Sequence, residues 1–346
     1  MNPVKISLTF LLAVLLIVTG CSKDSGSTPA KPNTPTKPTF ISRSIGDTTN
    51  VTTSTTAGTC LMGGSTDVDA AFKWMIAKSG GGDFVVIRSD VSYGYNSYIY
   101  KMRGVNSVET IIIASVTDAN NPAIATKIRN AEALFIAGGD QKDYVTLWKD
   151  TPIEDAINYL INTKHAPVGG TSAGCAILGS SYFSALNGSI TSSTAMHNPY
   201  NSAITLGHDD FITNPFLQNT ITDQHYSQRG REGRLVAFMA RMDKDLGKKP
   251  RGIAVDEQTA VCIDENGIAT VFGTNNAFFL QRDSLEPEAC LPNTNLTWNR
   301  NKQAIKVYRI SGLATGKGSF DLNDFSTASG GTWLYYSVDN AVFYAK

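Results

Sequence analysis

The sequence predicts an α/β fold with a doubly wound, mostly parallel sheet flanked by helices. Three observations predict it. Short apolar segments alternate with segments of helical periodicity from about residue 58, the apolar segments have no polar alternation, and glycine-rich turns follow several of them. Helices that cover both faces of a parallel sheet produce this pattern, with right-handed crossovers. The 346 residues, 42% of them hydrophobic, are enough to bury such a core.

The first half of the chain contains most of the predicted parallel sheet. The predicted strands are residues 59–62, 84–87, 110–114, 133–136 and 165–171. One predicted helix carries its apolar side chains on one face, at Val68, Ala71, Phe72, Met75 and Ile76. Further helices are predicted through Tyr95 and Tyr98, from Pro122, and from a capping sequence at residues 151–154. Each helix therefore connects two consecutive strands.

The second half is predicted to be less regular. After Gly179 the chain is rich in Ser, Thr and Asn until about residue 222, and so long a connection is more often functional than idle. A helix is predicted over residues 231–246. Strands follow near residues 252–255, 260–263, 269–272 and 277–280. Residues 291–346 are predicted to form a β-rich C-terminal extension to the α/β domain of residues 58–290.

The segment Gly170-Thr171-Ser172-Ala173-Gly174 matches the G-x-S-x-G nucleophile elbow. In this turn a strand passes sharply into a helix and exposes the serine hydroxyl, and both glycines are needed because neighbouring backbone approaches closely. An ordinary strand-to-helix loop is the alternative interpretation, but the short apolar strand before the segment and the helix start after it favour the elbow. Ser172 is therefore the candidate nucleophile.

A serine nucleophile needs a base, most often histidine, and the chain has four histidines. His165 precedes Ser172 on the same strand by about 20 Å at strand rise, which is too far. His197 and His208 fall in the irregular segment, where solvated histidines are common. His225 precedes Arg229, Arg231 and Arg234, a cationic cluster typical of a site for a carboxylate-bearing substrate. A solvated basic helix start is the alternative interpretation of that cluster.

Four segments together resemble the cyanophycinases and the related aspartyl dipeptidases. They are Gly138-Gly139-Asp140-Gln141, the elbow, Asp223-Gln224-His225 with its arginines, and Gly252-Ile253-Ala254-Val255-Asp256-Glu257. The resemblance implies a class I glutamine amidotransferase-like sheet and a serine peptidase acting on aspartyl linkages. For a cyanophycinase the substrate is polyaspartate carrying arginines in isopeptide linkage.

The resemblance also implies roles for individual residues. It makes Ser172 the nucleophile and His225 the base, with oxyanion donors at the Ala173 amide and at an amide near Gly139 or Asp140. The substrate-binding positions it implies are Gln141, Asp223, Gln224, Arg229, Arg231 and Arg234.

One part of the family pattern is missing from the sequence. Asn187, Gly188, Ser189 and Ile190 occupy the region where the family pattern has an acid that orients the histidine. The acids between Ser172 and His225 are Asp209, Asp210 and Asp223. Three interpretations stay open: one of these acids orients His225, a neutral acceptor does so, or the triad is broken.

The N-terminus predicts export. Lys5 precedes an apolar run over residues 6–18, which is typical of a signal peptide over residues 1–20. The run ends in Val18-Thr19-Gly20-Cys21, which resembles a bacterial lipobox with Cys21 as the lipidated mature N-terminus; a plain signal peptide cut near Gly20 is the alternative. Residues 21–57 are predicted to be a Ser/Thr/Pro-rich tether. The protein is therefore expected to be lipid-anchored to a bacterial membrane, on its periplasmic or surface face.

Composition narrows the remaining partners. With 30 basic and 30 acidic residues the net charge is zero, so no overall field favours nucleic acid. The cysteines form no C-x-x-C pair, and no metal or cofactor is expected. Among Cys60, Cys175, Cys262 and Cys290 a Cys262–Cys290 disulfide is one of several open pairings.

The sequence leaves two alternative predictions of function. The first is an exported serine peptidase that cleaves peptide or isopeptide bonds at aspartyl units, with a homodimer left open. The second is an inactive surface lipoprotein that binds acidic peptides or glycans in the same cleft. An α/β-hydrolase esterase is disfavoured because no histidine follows His225.

Overall fold

A computed structural model describes residues 40–346, which fold around two β-sheets and their flanking helices. The strands are β1 (Ser42–Gly46), β2 (Gly58–Met62), β3 (Asp83–Arg88), β4 (Ser107–Ile112), β5 (Ala133–Ile136), β6 (Pro167–Thr171), β7 (Ser181–Phe183), β8 (Leu206–His208), β9 (Thr220–Gln224), β10 (Arg251–Val255), β11 (Thr259–Asp264), β12 (Ile268–Gly273), β13 (Asn276–Arg282), β14 (Ile305–Ser311), β15 (Lys317–Asp321), β16 (Ala328–Ser329), β17 (Thr332–Asp339) and β18 (Val342–Ala345). The α-helices are α1 (Asp69–Lys78), α2 (Gly94–Lys101), α3 (Val116–Ala119), α4 (Pro122–Asn130), α5 (Gln141–Trp148), α6 (Pro152–Tyr159), α7 (Ala173–Ala176), α8 (Ser192–His197) and α9 (Glu232–Leu246).

The first sheet contains the predicted doubly wound core. Its strand order is β1-β4-β3-β5-β6-β2-β11-β12-β15-β16. The five strands from β4 to β2 are parallel, and the strands on either side of them pair antiparallel. The predicted α/β fold is therefore confirmed. The carboxyl ends of β2, β3, β5 and β6 meet at one edge, where sites form in sheets of this kind.

Burial on both faces explains why the parallel strands are continuous apolar runs. All four residues of β5 are fully buried. Phe72 and Met75 of α1 belong to the core on one face, and Ile124 and Ile157 of α4 and α6 to the core on the other. Removing one such side chain from water stabilises the fold by about 1.5–3 kcal/mol.

The second sheet has the order β18-β17-β14-β13-β10-β9-β7-β8. β9 and β10 are parallel neighbours, and α9 packs its buried face against this sheet. The predicted β-rich C-terminal region is confirmed. Its strands complete both sheets, because β15 and β16 extend the first and β14, β17 and β18 extend the second.

The predicted N-terminal tether is wrong over its last part. β1 pairs antiparallel with β4, and the Thr53 and Thr55 hydroxyls donate to carbonyls of the folded domain. The signal peptide, Cys21 and the tether up to residue 39 lie outside the described residues. Among residues 40–346, no helix combines the length and the apolar character that crossing a bilayer requires.

The four cysteines of the described residues lie in three separate parts of the core. Cys60 of β2 is the register partner of Cys262 of β11, with their sulfur atoms 3.9 Å apart. Cys290 belongs to the core beside the second sheet, so the Cys262–Cys290 pairing is wrong. All four thiols are free and buried, and burial raises the pKa of Cys175 and Cys262.

Candidate active site

Ser172 lies between β6 and α7 in the geometry of a nucleophile elbow. Its backbone has φ 51° and ψ −117°, a strained conformation that places the serine on a sharp turn. A Cβ on Gly170 would lie 2.5 Å from the carbonyl carbon of Gly174, and one on Gly174 would lie 2.2 Å from the Ile136 oxygen. The two glycines are therefore required by close backbone approach, as the sequence pattern indicated.

His225 follows β9 and contacts the serine. Its Nε2 lies 2.8 Å from the Ser172 hydroxyl oxygen, and the side chain is 6% exposed. The two sheets meet at this point, because the amide of His225, after β9 of the second sheet, donates to the oxygen of Gly63, after β2 of the first sheet. The structure therefore brings the candidate nucleophile and base together from strands of different sheets.

Glu257 is the acid behind the histidine. Its Oε1 lies 2.6 Å from Nδ1 of His225. β9 and β10 are parallel with Gln224 opposite Val255, so the residues after both strands emerge at the same edge. Glu257 ends the Gly252–Glu257 motif, but no role was predicted for it. The signal for its role in the sequence was its position directly after a buried strand near the site.

The three acids between Ser172 and His225 have partners other than His225. Asp209 pairs with Lys248, and Asp210 accepts from Tyr182. Asp223 is paired with Arg234. The idea that one of these acids orients His225 is therefore wrong, and so are a neutral acceptor and a missing acid, because Glu257 occupies the position.

Neighbouring polar groups hold Glu257 in place. Its amide donates to the Gln228 side chain at 2.9 Å, and its carbonyl accepts from the Asn275 side chain at 2.8 Å. The buried Asp256 beside it accepts from the amides of Ser227 and Asn276. These bonds join the turns after β9, β10 and β12, and they fix the carboxylate against the imidazole.

The surroundings of His225 favour the neutral imidazole. Burial lowers the pKa of His225, the hydrogen bond that its Nδ1 donates to Glu257 opposes that shift, and the positive charges of Arg229 and Arg231 lower the pKa further. The net pKa lies below the usual 6.5. His225 is thus unprotonated near neutral pH, the state in which it accepts a proton from serine.

Gly64 supports the imidazole through the absence of a side chain. A Cβ there would lie 2.4 Å from Cε1 and 2.5 Å from Nε2 of His225. We expect Gly64→Ala to displace the ring and to slow labelling of Ser172 by a fluorophosphonate at least about tenfold, because a shift of an ångström at the reacting groups is costly.

Gly188 provides the matched control for Gly64. The φ angles are +99° at Gly64 and +92° at Gly188, but nothing lies within 4 Å of a Cβ on Gly188. Gly188→Ala therefore carries the same backbone strain, about 1–2 kcal/mol, without the contact. Equal labelling rates in the two variants would show that Gly64 does not position the histidine.

The pKa of His225 gives a prediction for Arg229. Removing this exposed cation by Arg229→Gln should raise the pKa of His225, since a nearby positive charge disfavours the imidazolium. The acidic limb of the pH profile of the labelling rate should therefore move to higher pH. High salt screens the same charge, so it should also move this limb to higher pH in the unaltered protein and change it little in the variant. A shift to lower pH would contradict this electrostatic account.

Backbone amides face the serine from two turns. A Cβ on Gly138 would lie 3.3 Å from Cβ of Ser172, so the turn after β5 runs beside the nucleophile. Among residues 40–346 the amides of Gly139, Asp140 and Ala173 donate to no protein acceptor. They are available to a developing oxyanion, which is the role predicted for them.

Two of the predicted substrate-binding residues are withdrawn into the core. Asp223 and Arg234 are each 2% exposed, and Arg234 Nε donates to Asp223 at 2.9 Å. The Arg234 guanidinium also lies over the rings of Phe183 and Phe238. Assigning Asp223 and Arg234 to substrate contact is therefore wrong. They form a structural pair behind the site.

The other predicted substrate-binding residues surround the cleft. Arg231 donates to the Gln224 carbonyl at 2.7 Å and lies 3.6 Å from Asp223, with a guanidinium that is partly accessible. Gln141 begins α5 next to the Gly139 turn and is half-buried, and Arg229 is exposed. Gln224 is buried at 4% exposure. The cleft therefore keeps two cations for a substrate, where three were predicted.

The remaining histidines lie away from the serine. His165 ends a π-helical turn before β6, His197 contacts the Ser193 carbonyl, and His208 contacts Ser181. Within the described part of the chain, no three His, Cys, Asp or Glu side chains are grouped as a metal site would need.

Comparisons with known proteins identify relatives of the chain. The model of peptidase family S51 matches residues 86–271, which is 186 of 346 residues. A cyanophycinase of Synechococcus elongatus is 27% identical over 176 residues, 51% of this chain and 49% of that protein. A cyanophycinase of Trichormus variabilis is 26% identical over 175 residues, 51% of this chain and 53% of that protein. The chain spans about half the length of these curated relatives.

A solved peptidase structure from an acI-B1 Actinobacterium is 16% identical to this chain, with a TM-score of 0.47. The match covers 65% of this chain and 90% of that one.

A Ser–His–Glu arrangement at the carboxyl edge of a doubly wound sheet defines the class of protein, an α/β protein with a serine-hydrolase type of site. The family match makes the assignment specific. The chain belongs to peptidase family S51, and the resemblance to cyanophycinases and aspartyl dipeptidases is confirmed.

Proposed function

We propose that this protein is a serine-type peptidase that hydrolyses peptide or isopeptide bonds at aspartyl units through an acyl-enzyme on Ser172. One observation carries the proposal: Ser172, His225 and Glu257 are joined in series at 2.8 and 2.6 Å. Membership of family S51 and the cyanophycinase relatives support the same class of reaction.

The reaction follows from the contacts. Neutral His225 accepts the Ser172 proton at Nε2 as the hydroxyl oxygen attacks the carbonyl carbon. Amides of Ala173 and of the Gly139–Asp140 turn donate to the oxyanion that develops. The imidazolium then protonates the leaving amine, and the acyl-enzyme is hydrolysed by a water that His225 deprotonates. Glu257 keeps the Nδ1 proton in place throughout and stabilises the positive ring.

The charges of the cleft support an acidic unit in the substrate. Arg229 and Arg231 are the cations beside His225, and a guanidinium holds a carboxylate with two parallel hydrogen bonds. Gln141, half-buried at the start of α5, adds an amide group next to the Gly139 turn. An aspartyl unit next to the scissile bond fits this set, and arginyl-bearing aspartyl chains are the substrates to test first. Dimer formation stays a prediction.

The alternative of an inactive binding protein depended on a triad without its acid. Glu257 removes that reason, and the depressed pKa of His225 favours the base form that catalysis uses. We therefore retain the peptidase as the single proposed function.

The experiment is fluorophosphonate labelling of the purified protein, with Ser172→Ala and His225→Ala as controls. Labelling that is lost in both variants, together with hydrolysis of β-aspartyl dipeptides, is the expected result. A folded protein that does not label would overturn the proposal.

We also propose that the protein is exported and lipid-anchored through Cys21, as the lipobox pattern predicts. The test is fractionation of cells that express the chain after metabolic labelling with a fatty acid. The unaltered chain should carry the lipid and sediment with membranes. Cys21→Ser should lose both properties, and an unlipidated, exported wild-type chain would favour the plain signal peptide.

A further inference from the structure

Two cysteines face each other across the first sheet. Cys60 of β2 is the register partner of Cys262 of β11, and the two strands are antiparallel. Their sulfur atoms lie 3.9 Å apart, and both side chains are buried. The two residues are separated by 202 positions in the chain, so the fold itself brings the thiols into contact.

The position of this pair in the strand ladder suits a covalent bond. The amide of Gly63 donates to the oxygen of Thr259 at 2.9 Å. Hydrogen-bonded and non-hydrogen-bonded pairs alternate along an antiparallel ladder, so Cys60 and Cys262, three pairs further along, form a non-hydrogen-bonded pair. The Cα atoms of such pairs are about 4.5 Å apart, within the range of about 4.4–6.8 Å that disulfides span. The backbone spacing therefore permits a bond between the two sulfur atoms.

The other two cysteines belong to different parts of the core. Cys60 and Cys262 share the apolar cluster that α1 covers. Cys175 of α7 belongs to the cluster on the other face of the first sheet, and Cys290 to the cluster beside the second sheet. The fold therefore favours one of the pairings that the sequence left open.

The cysteine pair lies behind the histidine of the candidate active site. β2 leads into Gly63, whose oxygen accepts from the His225 amide, and into Gly64, which approaches the imidazole ring closely. β11 begins two residues after Glu257, whose carboxylate contacts Nδ1 of the same ring. A bond between β2 and β11 would therefore join the two segments that hold the histidine.

We propose that Cys60 and Cys262 form a disulfide as the chain folds after export, and that this bond cross-links the two strands behind the candidate active site. The proposal rests on the proposed export, because disulfides form and persist in oxidising compartments. It does not depend on the reaction at Ser172.

The oxidant in this reaction is another disulfide, belonging to a small molecule or to an oxidoreductase. The thiolate of one cysteine attacks a sulfur of that disulfide and releases the first thiol. The thiolate of the other cysteine then attacks the mixed disulfide, which forms the Cys60–Cys262 bond and releases the second thiol. The two cysteines lose two electrons and two protons, and the oxidant is reduced to two thiols.

The bond must form before the core closes. Cys60 and Cys262 are at most 1% exposed in the folded protein. Burial also raises the pKa of the Cys262 thiol, and a thiol without thiolate character reacts poorly. Once formed, the bond closes a loop between residues 202 positions apart, and a cross-link over a long loop constrains the unfolded chain strongly. The disulfide should therefore stabilise the fold.

The first experiment identifies the bond by mass. The purified protein is reduced, unfolded in urea, refolded with reduced and oxidised glutathione, alkylated and digested with trypsin. Cleavage after lysine and arginine releases residues 44–73 and residues 252–282, each with one cysteine. A disulfide-linked pair of these two peptides is the expected main product. Alkylation of both cysteines, or a link to Cys175 or Cys290 instead, would overturn the proposal.

The second experiment measures what the bond contributes to stability. Urea unfolding of the refolded protein is followed by tryptophan fluorescence with and without a phosphine reductant. The reductant should lower the midpoint of the unaltered protein by about 1 M and leave the midpoints of Cys60→Ala and Cys262→Ala unchanged. Cys290→Ala is the matched control, because it truncates an equally buried cysteine outside the pair and should keep the full effect of the reductant. No effect of the reductant on the unaltered protein would contradict the cross-link.

The third experiment separates this inference from the proposed export. The linked peptides are sought in cells that express the full chain, with free thiols alkylated at lysis. An exported chain that carries the link supports both proposals. A link that forms on refolding but is absent from a chain retained in the cytoplasm would refute the export and support the pairing. An exported, folded chain with both cysteines alkylated would overturn the disulfide, whether or not Ser172 is labelled by a fluorophosphonate.

Discussion

Replacing Glu257 by glutamine is expected to slow both Ser172 labelling and peptide hydrolysis by about 10⁴-fold. The carboxylate accepts a hydrogen bond from the Nδ1–H of His225 at 2.6 Å, which keeps the proton on Nδ1 and leaves Nε2 free to accept from serine at 2.8 Å. An amide can instead donate to Nδ1, so that Nε2 carries the proton and cannot act as a base. Loss of the correct tautomer has an effect of this size in triads.

Asp209→Asn is the matched control for Glu257→Gln. Like Glu257→Gln, it removes one negative charge, here from one of the three acids between Ser172 and His225. Asp209, however, is exposed and pairs with Lys248 at 2.8 Å. Its labelling rate should stay within about twofold of the unaltered protein, as an exposed ion pair contributes little. Stopped-flow or gel-based labelling rates on folded variants decide the question. A normal rate in Glu257→Gln, or a large loss in Asp209→Asn, would show that Glu257 is not the acid of the triad.

The parallel strands and the elbow could be predicted because their signals are local. Strands covered on both faces must be apolar at every position, and the sharp turn at Ser172 must have glycine on both sides. α9 begins at Glu232 and ends at Leu246, within a residue of the prediction. Periods of two to four residues are visible in a sequence without knowledge of the partners.

β1 was missed for the opposite reason. It is an edge strand paired only with β4, and its residues are mostly exposed, so its sequence Ser-Arg-Ser-Ile-Gly has no apolar run. Backbone hydrogen bonds to an existing sheet edge hold such a strand. Because of its polar composition, β1 was therefore predicted to be part of the tether of residues 21–57.

Glu257 was missed because its position depends on long-range pairing. It follows His225 by 32 residues, and only the parallel register of β9 and β10 brings them to one edge. Glu257 lies outside the interval between Ser172 and His225, so sequence order alone could not indicate its role. Asp223 and Arg234 show the converse error, since charged residues near a base look like substrate contacts until their mutual burial is known.

The buried pair of Asp223 and Arg234 gives the largest expected effect on stability. Asp223→Ala should lower the free energy of unfolding by about 3–5 kcal/mol, because it leaves the Arg234 guanidinium buried without its carboxylate and also takes the 3.6 Å partner from Arg231. Arg234→Met should cost less, since Arg231 remains near Asp223 and the new side chain packs against Phe183 and Phe238.

Urea unfolding of matched variants tests this ordering and separates structure from substrate binding. Asp209→Ala breaks an ion pair whose side chains are 47–48% exposed, so it should change the free energy of unfolding by no more than about 1 kcal/mol. If Asp223 were instead a substrate contact, Asp223→Ala would be as stable as Asp209→Ala and would raise KM. The double variant Asp223→Leu/Arg234→Met should recover much of the lost stability, because it removes both buried charges together. A pair that contributes through burial must behave in this non-additive way, whereas two independent substrate contacts would not.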